Sequence, residues 1–204
     1  MKLFFSPTSP YVRKCLVSAH ELGVAERITL VPGNAHPVNR DTTIIESNPL
    51  GKVPTFIADD GTVLYDSRVI CEYLDTHFGG TLFPREGAAR WQALVLQSLA
   101  DGMLDAALLA RYEEAVRPEA LRWSDWHNGQ MDKVRTSLLS LEQAPAALQG
   151  RVDIGTLSLA CALGYLDLRF DAWGWRTRFP RVAEWAAAFT QRASLQARWE
   201  LPPG

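Results

Sequence analysis

Proline and tryptophan are segregated along this chain. Six of the twelve prolines fall before residue 55, and all seven tryptophans (91, 123, 126, 173, 175, 185 and 199) fall after residue 90. Proline locks one backbone angle and removes an amide donor, so the first stretch can hold only short elements separated by turns. The later stretch carries large aromatic surfaces that call for an apolar interior. Two stretches of such different material predict two domains, and 204 residues is chain enough for both. The expected domains are 1–79 and 86–204. The linker runs from Leu82 to Gly87 and is stiffened by Pro84.

The first stretch alternates short elements. Lys2–Phe5 reads as a strand closed by Ser6-Pro7. Pro10 to Leu22 reads as a helix, with Val12, Leu16, Ala19 and Leu22 on one face and Gly23 at its C-cap. Arg27–Val31 reads as a second strand ended by Pro32-Gly33. A short helix is expected near Thr42–Ser47. Thr55–Ala58 and Val63–Tyr65 flank Asp59-Asp60-Gly61, a hairpin signal, and Ser67 to His77 reads as a helix stopped by Gly79-Gly80. The order β-α-β-α-β-β-α joins a parallel βαβ unit to a terminal hairpin.

The second stretch shows no strand pattern. Trp91, Leu94, Ser98, Gly102 and Ala106 are expected on one face of a long helix, and Met131, Val134, Leu138 and Leu141 on the next. Residues 154–170 are apolar nearly all round, which predicts a helix buried on every side. Val182, Trp185, Ala186 and Phe189 mark another, opened by Pro180. The tryptophans are expected to supply this helical core.

Composition narrows the function classes. A formal net charge of −2 argues against an extended nucleic-acid or anionic-membrane footprint. The uncharged run Ile154 to Leu166 is too short for a bilayer, which needs about 20 residues. Cys15, Cys71 and Cys161 form neither a disulfide framework nor a zinc cluster, and no histidine has ligand spacing, so no metal is expected. The segment opened by Met1 is broken by Pro7, Pro10, Arg13 and Lys14, unlike a signal peptide; the expected location is the cytoplasm. Nucleotide-binding glycine loops and the serine-hydrolase elbow are missing from the sequence.

Three short pieces carry chemistry. Pro10 at the first helical position makes Ser9 the N-cap, where backbone N–H groups and the helix dipole favour an anion. Lys52-Val53-Pro54 precedes an extended run. Asp66-Ser67 opens a helix, with Ser67 as the expected N-cap. Each piece alone is explained by capping or by a turn.

Together, Ser6-Pro7-Thr8-Ser9-Pro10-Tyr11-Val12-Arg13-Lys14, Asn48-Pro49-Leu50-Gly51-Lys52-Val53-Pro54 and Tyr65-Asp66-Ser67 give the chain a resemblance to the glutathione S-transferase superfamily, in particular to bacterial serine-type members. The run Asp153–Tyr165 resembles the family's core helix. The resemblance implies an α/β thioredoxin-like domain followed by an all-α domain, with glutathione as co-substrate. It implies that Ser9 hydrogen-bonds the glutathione sulfur. It also makes Pro54 a cis-proline exposing the backbone of Val53, places Asp66 and Ser67 at the γ-glutamyl end, and puts Lys52 near the glycine end. Where glutaredoxins carry a Cys-Pro-Tyr-Cys motif this chain reads Ser9-Pro10-Tyr11-Val12, so dithiol redox chemistry is not expected.

The expected activity is transfer of the glutathione thiolate to a small electrophile. The alternatives are a non-catalytic glutathione-binding or scaffold protein, and an isomerase or dehalogenase using the same site. Tyr11 and Met103 are the candidates for the acceptor pocket, on the family's pattern, and the resemblance implies a homodimer. Asp101 and Asp105 are charges on a largely apolar helix, facing either the cleft or solvent. One departure is the start of the core helix: Asp153 takes the cap and Thr156 the third position, the reverse of the family's usual order.

Overall fold

The computed structural model describes residues 1–201. The chain divides into two compact units, Met1–Arg85 together with the C-terminal segment from Arg192, and Glu86–Gln191.

The first unit is built on a four-stranded sheet in the order β2-β1-β3-β4. Strand β1 (Lys2–Phe5) runs parallel to β2 (Thr29–Pro32), with Leu3 opposite Leu30. It runs antiparallel to β3 (Phe56–Ile57), which pairs with β4 (Val63–Leu64) across the Asp59-Asp60-Gly61 turn. Helix α1 (Pro10–Glu21) makes the parallel crossover, α2 (Thr42–Ile45) is a single turn, and α3 (Ser67–His77) packs against α1. This is the expected thioredoxin-like order with shorter strands. Arg27 does not start β2. The Arg27 N–H bonds Val24 O and the Ile28 N–H bonds Ala25 O, so local turns consume amides that a strand would offer. The core comprises Leu3, Val12, Leu16, Ile44, Phe56, Ile70 and Leu74, each at most 1% exposed.

The second unit is all helical: α4 (Gly87–Ala115), α5 (Ser124–Gln143), α6 (Ile154–Arg169), α7 (Trp175–Arg178) and α8 (Pro180–Phe189). Helix α6 is its buried centre, and α4 packs along it. Gly155 makes the approach possible, because a Cβ there would lie 2.6 Å from Ala93 O and 2.8 Å from Leu96 Cβ. Asp153 and Thr156 form a reciprocal capping box: Asp153 Oδ1 accepts from the Gly155 and Thr156 amides, and Thr156 Oγ1 accepts from the Asp153 amide. The reversed order of residues therefore caps the helix fully. The start of α8 is capped from a distance, by Glu142 accepting from the Arg181 and Val182 amides.

Three expectations are corrected. Trp91, Ser98 and Gly102 do not face the core; α4 buries Ala93, Leu96, Ala100, Met103, Leu104 and Ala107 instead. Small alanines spaced seven apart let α6 come close, and bulk at those positions would hold it off. The tryptophans do not form the core either. Trp175 alone is fully buried, while Trp91, Trp123 and Trp126 are exposed. The second unit also stops short of residue 204, because from Arg192 the chain groups with the first unit. Its turn α9 (Ala193–Gln196) packs on α1, and Glu21 takes two hydrogen bonds from Arg192.

Helix α4 has the length and mean hydropathy (1.5 over 18 residues) of a membrane-crossing helix, and 56% of that window is buried in the structure. In the sequence this helix is not an uncharged run, because Asp101 and Asp105 interrupt the apolar stretch. Asp101 is 1% exposed and Asp105 faces outward.

Candidate functional site

Ser9 follows β1 through the Ser6-Pro7-Thr8 turn and adopts extended angles (φ −79°, ψ 117°) as the N-cap of α1. Its Oγ accepts from the Val12 N–H at 3.3 Å, its N–H bonds Ser6 O, and its carbonyl accepts the Arg13 N–H. Ser9 is partly exposed, and among the described residues its hydroxyl proton has no acceptor. That proton is free to be donated outward, at the positive end of the helix.

The second piece is a loop held open by buried polar groups. Asn48 is 1% exposed; its Nδ2 donates to Thr55 Oγ1 at 2.9 Å and to Lys52 O, and its Oδ1 accepts from the Leu50 N–H. Thr55 Oγ1 in turn donates to Lys52 O at 2.8 Å. Gly51 stands at φ 61°, a left-handed angle that glycine adopts without a Cβ clash. The Val53–Pro54 peptide is cis. With Lys52 O and Thr55 engaged, the Val53 N–H and C=O are left without partners among the described residues. A donor and an acceptor on one extended residue are what a strand-like peptide ligand pairs with. The register puts this residue next to Ser9's turn, since Phe4 N–H bonds Thr55 O at 2.9 Å and the chain direction carries Pro54 toward the end of β1.

The third piece is the start of α3. The cap here is Asp66, not Ser67: Asp66 is extended and its Oδ1 accepts from the Arg68 N–H at 2.8 Å, leaving Ser67 as the first helical residue. An aspartate caps as well as a serine does, and the residue one step earlier wins because Ser67 already has helical geometry. The Tyr65–Asp66 peptide is also cis. Ser67 is 2% exposed, and neither its N–H nor its hydroxyl has a partner among the described residues. A free amide, a hydroxyl and the positive end of an eleven-residue helix favour a carboxylate. Cys15 on α1 ties the two helices together, its thiol donating to Ser67 O at 3.9 Å.

Ser9, Val53-Pro54 and Ser67 thus lie in the same unit and carry a hydroxyl donor, an extended edge and a helix start. Lys52 is exposed in the same loop. Tyr11 is partly exposed in the first turn of α1, whereas Met103 is 1% exposed and has almost no surface to offer a ligand. Sequence reasoning missed Asn48 and Thr55. Their signal was available, as two polar residues flanking a proline-glycine turn, but only burial shows that they hold the loop.

Residues 8–77 match the glutathione S-transferase N-terminal domain, and residues 124–188 match the glutathione S-transferase C-terminal domain. YibF from Escherichia coli K12, described as an uncharacterized GST-like protein, is 34% identical over 99% of both chains. A glutathione transferase family member from Pseudomonas fluorescens Pf-5, solved with bound glutathione, superposes with a TM-score of 0.94. It is 46% identical and the match covers 100% of this chain and 99% of that one. A second structure of a Pf-5 family member holds S-(propanoic acid)-glutathione, at 45% identity, a TM-score of 0.89 and full coverage of both chains. The chain belongs to the glutathione S-transferase superfamily.

Proposed function

We propose that this protein binds glutathione and transfers its thiolate to a small electrophile, with Ser9 as the serine-type donor to the sulfur. The observation that carries the reading is the set of unpaired groups in the first unit: the Ser9 hydroxyl, the Val53 N–H and C=O, and the Ser67 N–H and hydroxyl. Glutathione is an extended peptide with a carboxylate at each end and a thiol between, and each part finds a matching group. The cysteine backbone pairs with Val53, and Pro54 keeps that edge presented. The γ-glutamyl carboxylate takes the Ser67 N–H and hydroxyl, Asp66 attracts the γ-glutamyl ammonium, and exposed Lys52 attracts the glycine carboxylate. The Pf-5 family members solved with bound glutathione and with S-(propanoic acid)-glutathione support glutathione as the ligand class.

The chemistry follows from the thiol. A free thiol with pKa near 8.5 is only a few per cent thiolate at pH 7, and each unit of lowering needs about 1.4 kcal/mol of preferential stabilisation of the anion. A hydroxyl donor and the positive end of a helix dipole supply interactions of that size. Ser9 donates; it does not attack. The sulfur lone pair forms the bond to an electrophilic carbon while the leaving group departs with its electrons, and no metal enters the step.

For the acceptor, Tyr11 is the residue we favour over Met103, because it is partly exposed and Met103 is buried. A homodimer is part of the reading. Each unit has exposed apolar residues to cover, Val63, Tyr65 and Val69 in one, and Trp91 and Val95 in the other. Three buried cysteines outside any disulfide suit a reducing compartment, the cytoplasm.

The test is conjugation of glutathione to a chlorodinitrobenzene. Ser9→Ala is expected to lower kcat by about tenfold to a hundredfold, from loss of a charge-assisted hydrogen bond. Equal activity of the two proteins refutes the role of Ser9. Saturating glutathione should stabilise the wild type by about 2.7 kcal/mol at 100 times Kd. Stabilisation without turnover supports the glutathione-binding scaffold instead, and no stabilisation at millimolar glutathione refutes both.

A further inference from the structure

The C-terminal segment follows α1 back toward its start. Arg192 donates to Glu21 at the end of α1, through Nε at 2.9 Å and Nη2 at 2.7 Å, and Ser194 Oγ also donates to Glu21. One residue on, Leu195 is 5% exposed, and its carbonyl accepts from Arg13 Nη2 at 2.5 Å. The Arg13 guanidinium also lies 5.9 Å from the ring centre of Trp199. Leu201 then lines a cavity of about 700 Å³ together with Phe5, Pro7 and Asn34. Residues 192–201 therefore form a strap that runs from the last turn of α1 to the turn preceding Ser9.

Ser9 is held by local bonds alone, to Ser6 O, Val12 N–H and Arg13 N–H, and the bond that fixes its hydroxyl is 3.3 Å long. Arg13 is one turn away, bonded through its amide to Ser9 O and through its side chain to the strap. A donor displaced by an ångström loses much of its effect on a reacting atom, at a cost of up to about a hundredfold in rate. The anchors for the rest of glutathione, Val53 and Ser67, belong to other elements and do not depend on this contact.

We infer that the C-terminal strap is a working part of the glutathione site: through the Leu195 carbonyl and the Trp199 ring it fixes Arg13, and Arg13 is the positioning residue that keeps the Ser9 hydroxyl aimed at the sulfur. The inference rests on the glutathione reading above. It adds that the donor's position is set by residues some 180 positions away in sequence.

The experiment compares the wild type with Arg13→Ala, Arg13→Lys and Trp199→Ala. It measures kcat and KM for glutathione with a chlorodinitrobenzene, and hydrogen exchange at the Val12 and Arg13 amides. Arg13→Ala is expected to lower kcat about tenfold while KM for glutathione stays within about threefold, the pattern of an interaction lost in the transition state and not in binding. Its Val12 and Arg13 amides should exchange about tenfold faster. Trp199→Ala should shift both readouts in the same direction by less. Arg13→Lys keeps a donor and a charge and should recover part of the kcat loss. Unchanged kcat in Arg13→Ala overturns the inference, whether or not exchange quickens, and so does a KM rise that accounts for the whole loss. If the wild type conjugates nothing, it is the glutathione-transfer reading that fails. The strap is then judged on exchange, and unchanged protection at Val12 and Arg13 overturns it.

Discussion

The carboxylate of Glu21 and the guanidinium of Arg192, 171 residues apart in sequence, meet in a two-pronged pair with N–O distances of 2.9 and 2.7 Å. The Glu21 side chain is 13% exposed and that of Arg192 is 34% exposed. The Arg192 hydrogen bonds, helped by the one from Ser194, hold the Glu21 carboxyl below its ordinary range against the opposing effect of burial. A depressed folded-state pKa gives stability that is present above the unfolded value and is lost as pH falls through the folded value. Glu21→Gln should therefore cost about 1–2 kcal/mol at pH 7. The gap to the wild type should narrow below about pH 4.5 and close at lower pH. Thermal melts of both proteins between pH 3 and 8 check this, and a gap independent of pH refutes it.

Asn48 and Thr55 form the support of the open loop. Asn48→Ala leaves the Leu50 amide without its partner and removes the donor to Thr55 Oγ1, while the Lys52 carbonyl keeps the Thr55 hydroxyl; the loss should destabilise the protein by about 2 kcal/mol. Because the same loop presents Val53, glutathione affinity should fall by about tenfold. Calorimetric titration with glutathione, set beside a denaturant melt, separates the two effects. Lost stability with unchanged affinity shows that Val53 does not need the Asn48 clamp.

Two glycines of α6 should respond oppositely to alanine. At Gly155 the new Cβ meets Ala93 O at 2.6 Å and Leu96 Cβ at 2.8 Å, contacts that require backbone to shift, whereas at Gly164 nothing lies within 4 Å. The helix-propensity gain from glycine to alanine is about 1 kcal/mol in both. Overpacking costs about 1–3 kcal/mol and outweighs the gain only at Gly155. Urea melts should show Gly155→Ala destabilised by up to about 2 kcal/mol and Gly164→Ala stabilised by about 0.5–1 kcal/mol.

The start of α3 offers a distinction between its two polar residues. Ser67→Ala removes a hydroxyl that has no described partner in the free protein, so stability should stay within about 0.5 kcal/mol. Glutathione affinity should fall by about tenfold. Asp66→Ala removes the cap on the Arg68 amide and should cost about 1 kcal/mol of stability as well as affinity. Equal stability losses in the two variants contradict the assignment of the cap to Asp66.

Local chemistry made much of this protein legible in its sequence. Ser9 caps because proline follows it, the Asp59-Asp60-Gly61 turn makes a hairpin, and Asp153 and Thr156 close a box, each through neighbours within four residues. The same holds for the motif pieces that point to glutathione. Contacts between distant parts of the chain were decided only by tertiary structure. Which face of α4 is buried depended on how closely α6 could approach, so alanines won over Trp91. Whether Asn48 was a surface turn residue or a buried clamp depended on Thr55 folding back onto Lys52 O. The C-terminal strap bears no periodicity or motif that announces α1 as its partner. Its place is set by one carboxylate, Glu21, and one guanidinium, Arg13, that find their partners only when the chain has closed. The sequence by itself determined the elements and the chemical groups at their ends. Tertiary structure decided which of those groups were left unpaired, and an unpaired buried or half-buried polar group is what a ligand completes.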